Sequence, residues 1–272
     1  MKKLWLCIGF LALMALGALL IPYLGRDPTL IQPDFPLLAP GERGFWLGTD
    51  DLGRDLLSRL AVGGQISLLI GLSTAAVAVA AGAVYGIAAA LLEGRFNRVD
   101  EAMMRLIDVL YSLPGLMIVI LFGVFWGRGL PTLVAALALF SWPDTARLIR
   151  AQTLALKREE FVEAYRSLGG GIWRLVTRHF LPNLAGLLIL SLTIAVPRAI
   201  LTESTLSFLG LGVEPPLSSW GTLVSEGWQL ARTAPHILIF AALAIVSAMV
   251  ALNLLGDALR ERFDPKERRA PS

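Results

Sequence analysis

The sequence is short of cysteine, histidine and charge. Cys7 is the single thiol among 272 residues and lies inside the first apolar run, which excludes an internal disulfide framework and a cysteine-based metal site. Only 17% of residues are charged while 56% are apolar, against averages of about 25% and about 45–50% for soluble domains. That balance excludes a conventional soluble core and indicates an integral membrane protein. No G-x-x-x-x-G-K-[ST] phosphate loop is present, which excludes ATP binding in the usual manner. No Ser–His combination or pair of intramembrane carboxylates stands out, so an intramembrane hydrolase lacks its nucleophile and base.

Long apolar runs are what the sequence has in abundance. A helix needs about 20 residues to cross roughly 30 Å of hydrocarbon. Six runs meet that length: 4–24, 66–92, about 102–126, 130–149, 181–202 and 236–255. The expected fold is therefore all-α, an integral membrane protein with six transmembrane helices. The opening "MKK" before an apolar run has two marks of a secretory signal. The run is long for one, however, and "LIPYLGRDP" offers no A-x-A-like cleavage site, so the first helix is expected to stay.

Lys and Arg give the orientation. With the N-terminus in the cytoplasm, seventeen of the 24 basic residues fall on the inner side, including Lys2, Arg95, Lys157, Arg158 and Arg269. The outer side keeps seven, among them Arg26, Arg59, Arg128 and Arg198. Both termini are thus expected inside, and the basic pI reflects topology, with no nucleic-acid partner indicated. The only two histidines, His179 and His236, fall on opposite faces and cannot share a metal, so no metal site is expected.

Organisation follows: a first helix and outer segment over 1–65, a helical body over 66–265 with a long inner loop over about 150–182, and an inner tail over 266–272. The second run is dense in Ala and Gly and contains Gly82-x-x-x-Gly86. Small residues at this spacing let helix backbones approach closely, although they are also common in spanning helices in general.

The inner loop carries the least expected stretch of the chain. In "REEFVEAYRSLGGG", Phe161, Ala164, Tyr165 and Leu168 recur at i, i+3, i+4 and i+7, which predicts a short amphipathic helix. Gly169 to Gly171 end it, because glycine accepts the left-handed backbone of a helix C-terminus. A second segment, "IWRLVTRHFLP", leads into the fifth run through Leu181 and Pro182. Two roles fit: an interfacial helix lying in the headgroups of the membrane lipid, or a knob for a cytoplasmic partner. Glu159, Glu160 and Glu163 favour the knob, since an anionic leaflet repels acidic residues.

The stretch "EFVEAYRSLGGGIWRLVTRHFLPN" resembles the EAA loop of bacterial ABC-importer permeases. Glu163, Ala164, Gly169, Leu181 and Pro182 fall on that pattern, while Tyr165 replaces its second Ala and His179 its Ile. The likeness continues through "WLGTDDLGRDLLSRL", "DVLYSLPGL", "SWPDTARLIRAQTLALK", "ESTLSFLGLGVEPPLSSWGTLVSEG" and "NLLGDALRERFDP", from about residue 44 to residue 265. It is similar to the C-type permease of dipeptide, oligopeptide and nickel importers. The "LGTDDLGRD" segment separates it from the B-type companion.

The resemblance implies a permease domain over 66–265 and a coupling helix, seated in a separate ATPase subunit, whose contacts fall on Glu160, Phe161, Glu163, Ala164, Tyr165, Leu168, Gly169, Leu181 and Pro182. It implies a non-catalytic chain with no bound cofactor, ATP and Mg being held by two ABC ATPase subunits. It also implies a B-type permease partner, a substrate-binding protein and residence in the bacterial inner membrane. Peptides are the expected cargo, nickel or a metal chelate the alternative; a self-sufficient carrier or channel is the rival class.

Four intramembrane charges stand apart. Arg198 and Glu203 are candidate pathway-lining residues; Arg198, where the resembling proteins more often have a small residue, either meets an anionic substrate group there, snorkels outward, or pairs with Glu203. Asp108 and Asp144 are expected one turn from the inner helix ends, paired with Arg105 and Arg147 three residues away on the same helix, or alternatively in a proton relay.

Overall fold

The structure is a computed structural model that describes residues 2–94, 97–127 and 129–263. Arg95, Arg128, Lys266, Arg268, Arg269 and the expected tail 266–272 lie outside the described residues. All the regular structure described is helical. The long helices are α1 (Lys2–Leu24), α2 (Leu56–Leu92), α3 (Asn97–Ser112), α4 (Gly115–Trp126) and α5 (Leu130–Lys157). The short α6 (Glu160–Ser167) and α7 (Ile172–Leu175) follow, then α8 (Leu181–Phe208), α9 (Trp220–Gln229) and α10 (Pro235–Phe263). Among the described residues, the helical stretches 5–22, 56–92, 172–208 and 235–261 are long and apolar enough to cross a membrane, and α3 with α4 makes a fifth if the bent pair is one span.

That pair departs from the continuous helix expected over 102–126. α3 and α4 meet at 85°. Pro114 has no N–H to donate and disfavours α geometry at Leu113, so the helix stops at Ser112 and restarts beyond the proline. α5 continues past the apolar run 130–149 as one helix to Lys157.

The centre of the bundle is the parallel contact of α2 with α5. A Cβ on Gly82 would stand 2.6 Å from the Thr145 Cβ, and one on Gly86 2.5 Å from the Ala146 carbonyl oxygen, so backbone meets backbone at both places. The small residues of α2 therefore serve close packing. Another flank of α2 receives α8 and α9: Gly71 lies under Ile200, and Gly63 and Gly64 under the Ser219–Trp220 backbone and the Trp220 ring. The Trp220 indole N–H donates to the Leu60 carbonyl at 3.0 Å.

The segment from α1 to α2 folds over that end of the bundle through the residues of "LGTDDLGRD". Gly48 and Gly53 have φ of +83° and +75°, and a side chain at either would run into the backbone of Leu38 or Gln32. Asp50 is buried and accepts from the N–H of Leu52 and of Arg54 at 2.9 Å each, and from Arg54 Nε and Arg59 NH1 at 2.7 Å each. Arg59 also grips Glu226 of α9 through two bonds of 2.5 and 3.0 Å. Asp55 caps α2 by accepting from the Ser58 N–H at 2.9 Å. The motif is thus a lock tying this segment, α2 and α9 together.

Two outcomes follow for the purified chain in detergent. Gly86→Val forces the α2 and α5 backbones apart and lowers stability by about 1–3 kcal/mol, read as a fall in Tm, whereas Gly123→Ala, with nothing within 4 Å of the added Cβ, leaves Tm unchanged. Asp50→Ala takes from the buried Arg59 guanidinium one of its two carboxylate partners and leaves it on Glu226 alone, at a cost of about 1–3 kcal/mol, measured by the same melt.

Candidate coupling segment and membrane cleft

α6 is short and terminates as its glycines dictate. Gly169 has φ +76°; its N–H donates to the Arg166 carbonyl at 2.9 Å and that of Gly170 to the Tyr165 carbonyl at 3.1 Å. These two bonds form a Schellman cap and satisfy carbonyls that the last turn leaves open. The chain then turns into α7 and a π-helical turn, Val176–Phe180, before entering α8 at Leu181 and Pro182.

The apolar residues of α6 divide between two directions. Val162, fully buried, packs with Ile87 of α2, Ile149 of α5, Leu175, Phe180 and Leu184, with Tyr165 at the edge of the same cluster. Burying such a side chain is worth about 1.5–3 kcal/mol, so Val162 roots α6 in three helices of the bundle. Phe161, Ala164 and Leu168 remain exposed, Leu168 at 88%, beside Ile172 and Trp173, the latter at 80%. Glu160 and Glu163 are exposed as well, as are Gly169, Leu181 and Pro182 at the two ends of the loop. The single apolar stripe of the periodicity is therefore split: Tyr165 faces the bundle with Val162, which the stripe omits, and the other three face away.

Tyr165 and His179, the two departures from the EAA pattern, meet each other, with ring centroids 5.0 Å apart. Phe161 lies 5.9 Å from the same imidazole. The Tyr165 ring covers Gly170 where any Cβ would collide with it, and its hydroxyl donates to the Gly171 carbonyl at 3.3 Å. The second glycine of the triplet thus makes room for the tyrosine. Gly170→Ala is expected to destabilise the chain by about 1–3 kcal/mol by displacing that ring. In a Tyr165→Ala background the same change costs much less, and a double-mutant cycle on Tm measures the difference.

A second feature lies deeper, where α4, α5 and α8 wall a cleft of about 610 Å³. Its lining is mostly apolar but includes Ser141, Asp144, Ser191, Arg198 and Thr202. Because α5 runs from Leu130 to Lys157, Asp144 stands midway along it, not one turn from an end. Arg198 donates to Asp144 at 3.2 Å, and the Tyr111 hydroxyl donates to the other Asp144 oxygen. Arg147 pairs with Asp108 and lies 4.5 Å over the Tyr111 ring. The expected pairs within one helix are replaced by pairs between helices, joining α3, α5 and α8. Arg150 adds a bidentate fork onto Asp100 of α3 at 2.8 and 2.5 Å.

Glu203 does not pair with Arg198. Five residues along a helix turn the side chain by about 140°, which sends Glu203 into the contact with α2 and α9. There it is fully buried and accepts from Ser207 at 2.6 Å, Ser67 at 3.4 Å and Ser204 at 3.5 Å. It lies outside the cleft lining.

Residues 82–269 match the model of the family described as "Binding-protein-dependent transport system inner membrane component". The chain is 42% identical over 264 residues to the oligopeptide transport system permease protein OppC of Escherichia coli (strain K12), covering 95% of this chain and 85% of that protein. It is 38% identical over 270 residues to the dipeptide transport system permease protein DppC of Bacillus subtilis (strain 168), covering 99% and 82%. It is 40% identical over 234 residues to the glutathione transport system permease protein GsiD of Pectobacterium atrosepticum, covering 86% and 77%. Its fold is similar to a chain of the MetNI methionine ABC transporter in an inward-facing conformation, at TM-score 0.61 and 16% identity, covering 76% of this chain and 97% of that one. With its multi-pass helical bundle and its family match extending over most of the sequence, the chain belongs to the inner-membrane components of binding-protein-dependent transport systems.

Proposed function

We propose that this chain is one of two permease subunits of an ATP-driven importer for peptides and that α6 is its coupling helix. The observation that carries this reading is the division of α6: Val162 and Tyr165 anchor it to the bundle, while Phe161, Leu168 and Trp173 leave an exposed apolar crown flanked by Glu160 and Glu163. An amphipathic segment that keeps its outer apolar face free fits a groove in another protein, and its acidic flank is disfavoured at an anionic leaflet. The groove belongs to a separate ATPase, which holds ATP and Mg; this chain carries no phosphate loop.

In this arrangement the chain crosses the membrane six times, through α1, α2, the bent α3–α4 pair, α5, α8 and α10, with both termini in the cytoplasm. α5, long enough at 28 residues but not among the helices apolar enough by composition, is counted because its polar residues turn to the cleft and to α3. A B-type permease closes the cleft from the other side, and a substrate-binding protein delivers cargo at the outer end. Movement of the ATPases pushes α6, and the Val162 cluster passes that displacement to α2, α5 and α8. The relatives' names cite oligopeptide, dipeptide and glutathione transport, which supports peptides over nickel or a metal chelate as cargo.

Glu163→Lys and Leu168→Glu test the coupling role. Both side chains are exposed, so membrane insertion and the Tm of the isolated chain are expected to stay unchanged. Co-purification of the ATPases and ATP-dependent peptide uptake in proteoliposomes are expected to fall together. Undiminished ATPase association in both variants would contradict the assignment.

A further inference from the structure

The ion pair in the cleft is built to be exchanged. It lies midway along α5, read here as a spanning helix, in which an ionisable group is costly unless it lines a cavity or pairs. Asp144 and Arg198 do line a cavity, and neither is buried: their side chains are 58% and 70% exposed. A guanidinium has five N–H donors; among the described residues Arg198 uses one, toward a single Asp144 oxygen at 3.2 Å. Asp144, by contrast, keeps a second partner in the Tyr111 hydroxyl when Arg198 leaves. Tyr111 is in turn held under the Arg147 guanidinium, which is itself neutralised by Asp108. Two turns below Arg198 on α8, the Ser191 hydroxyl also lines the cleft and has no hydrogen-bond partner among the described residues.

The geometry points to Arg198 as a transient receptor for the C-terminal carboxylate of a peptide in transit, with Asp144 as the resting counter-ion that the carboxylate displaces. Arg198 trades one carboxylate for another. The arriving carboxylate adds one negative charge to the site, and Asp144, then without its cation, keeps the Tyr111 hydrogen bond and its place on the cavity wall. A guanidinium accepts a carboxylate in a two-pronged fork, a geometry the single contact to Asp144 does not use. The resting pair is a single contact of 3.2 Å on the cleft wall, which a two-pronged carboxylate can replace and cargo can leave again.

This inference rests on the peptide-importer reading, and the experiment separates the two. The complete transporter, with partner permease, ATPases and binding protein, is reconstituted as wild type, Arg198→Gln, Arg198→Lys and Asp144→Asn. Initial uptake rates are measured for one peptide and its C-terminal amide, each at a concentration that saturates the binding protein. Wild type is expected to prefer the free acid, roughly tenfold for a charge-assisted contact. Arg198→Gln is expected to abolish that preference by slowing the acid alone, and Arg198→Lys to restore part of it. Asp144→Asn, which leaves Arg198 without its counter-ion, is expected to keep the preference. Equal slowing of acid and amide in Arg198→Gln, or no preference in wild type, would overturn the carboxylate station and leave the importer reading standing. A wild-type complex that takes up neither form would overturn both.

Discussion

The contact of α2 with α5 is made by backbones because Gly82 and Gly86 remove the side chains that would separate them. Everything of functional interest lies on one side or the other of this seam. At its C-terminal end it brings Ile87 and Ile149 together, and those two form the floor into which Val162 of α6 is set. Lys157 strengthens the same end by donating to the Ala90 and Glu93 carbonyls at 2.6 and 3.0 Å. Midway along α5 the seam commits Ala146 and Ile149 to α2, while Ser141 and Asp144 line the cleft. α6, the proposed coupling segment, and a polar cleft wall are thus set on one closely packed pair of helices.

Rigidity of this kind is what a mechanical coupler needs. A segment that receives a push from another protein transmits it only if the contact to its own bundle outlasts the motion. α6 meets the requirement with few residues: one fully buried valine, a tyrosine laid over a glycine, and a glycine-terminated last turn. The lock around Asp50 and Arg59 does the same at the other end of α2, where it ties the segment after α1 to α9. Between these two anchored ends, the ion pairs among α3, α5 and α8 are more exposed, and the broken helix at Pro114 adjoins them. The buried polar contacts of the bundle therefore lie toward the Asp50 end of α2, and its most exposed ion pairs lie between α3, α5 and α8.

Much of this arrangement is legible in the sequence, and the rest is hidden for definable reasons. The Gly169 cap and the close approach at Gly82 and Gly86 follow from local backbone rules, and the structure realises both. The orientation of α6 does not follow from its period. Apolar residues occur on two faces, one for its own bundle and one left open, and a 3.6-residue period cannot say which is which. Pro114 is plain in the sequence, yet hydropathy averaged across it reads as one continuous run. The partners of Asp108 and Asp144 sit 39 and 54 residues away, at Arg147 and Arg198, where a local i, i+3 rule has no reach. Glu203 looks like a mate for Arg198 by proximity along the chain. Helical geometry sends it to a serine-lined pocket instead.

The central claim is that α6 moves as one body with α2 while the transporter cycles. Spin labels at Arg166, exposed on α6, and at Leu72, exposed on α2, report this directly through pulsed electron-spin distances in the assembled complex. The account predicts one narrow distance distribution, unchanged between nucleotide-free and ATP-bound states. A distribution that broadens or shifts by several ångströms on ATP binding would show α6 moving independently of the bundle and would contradict it.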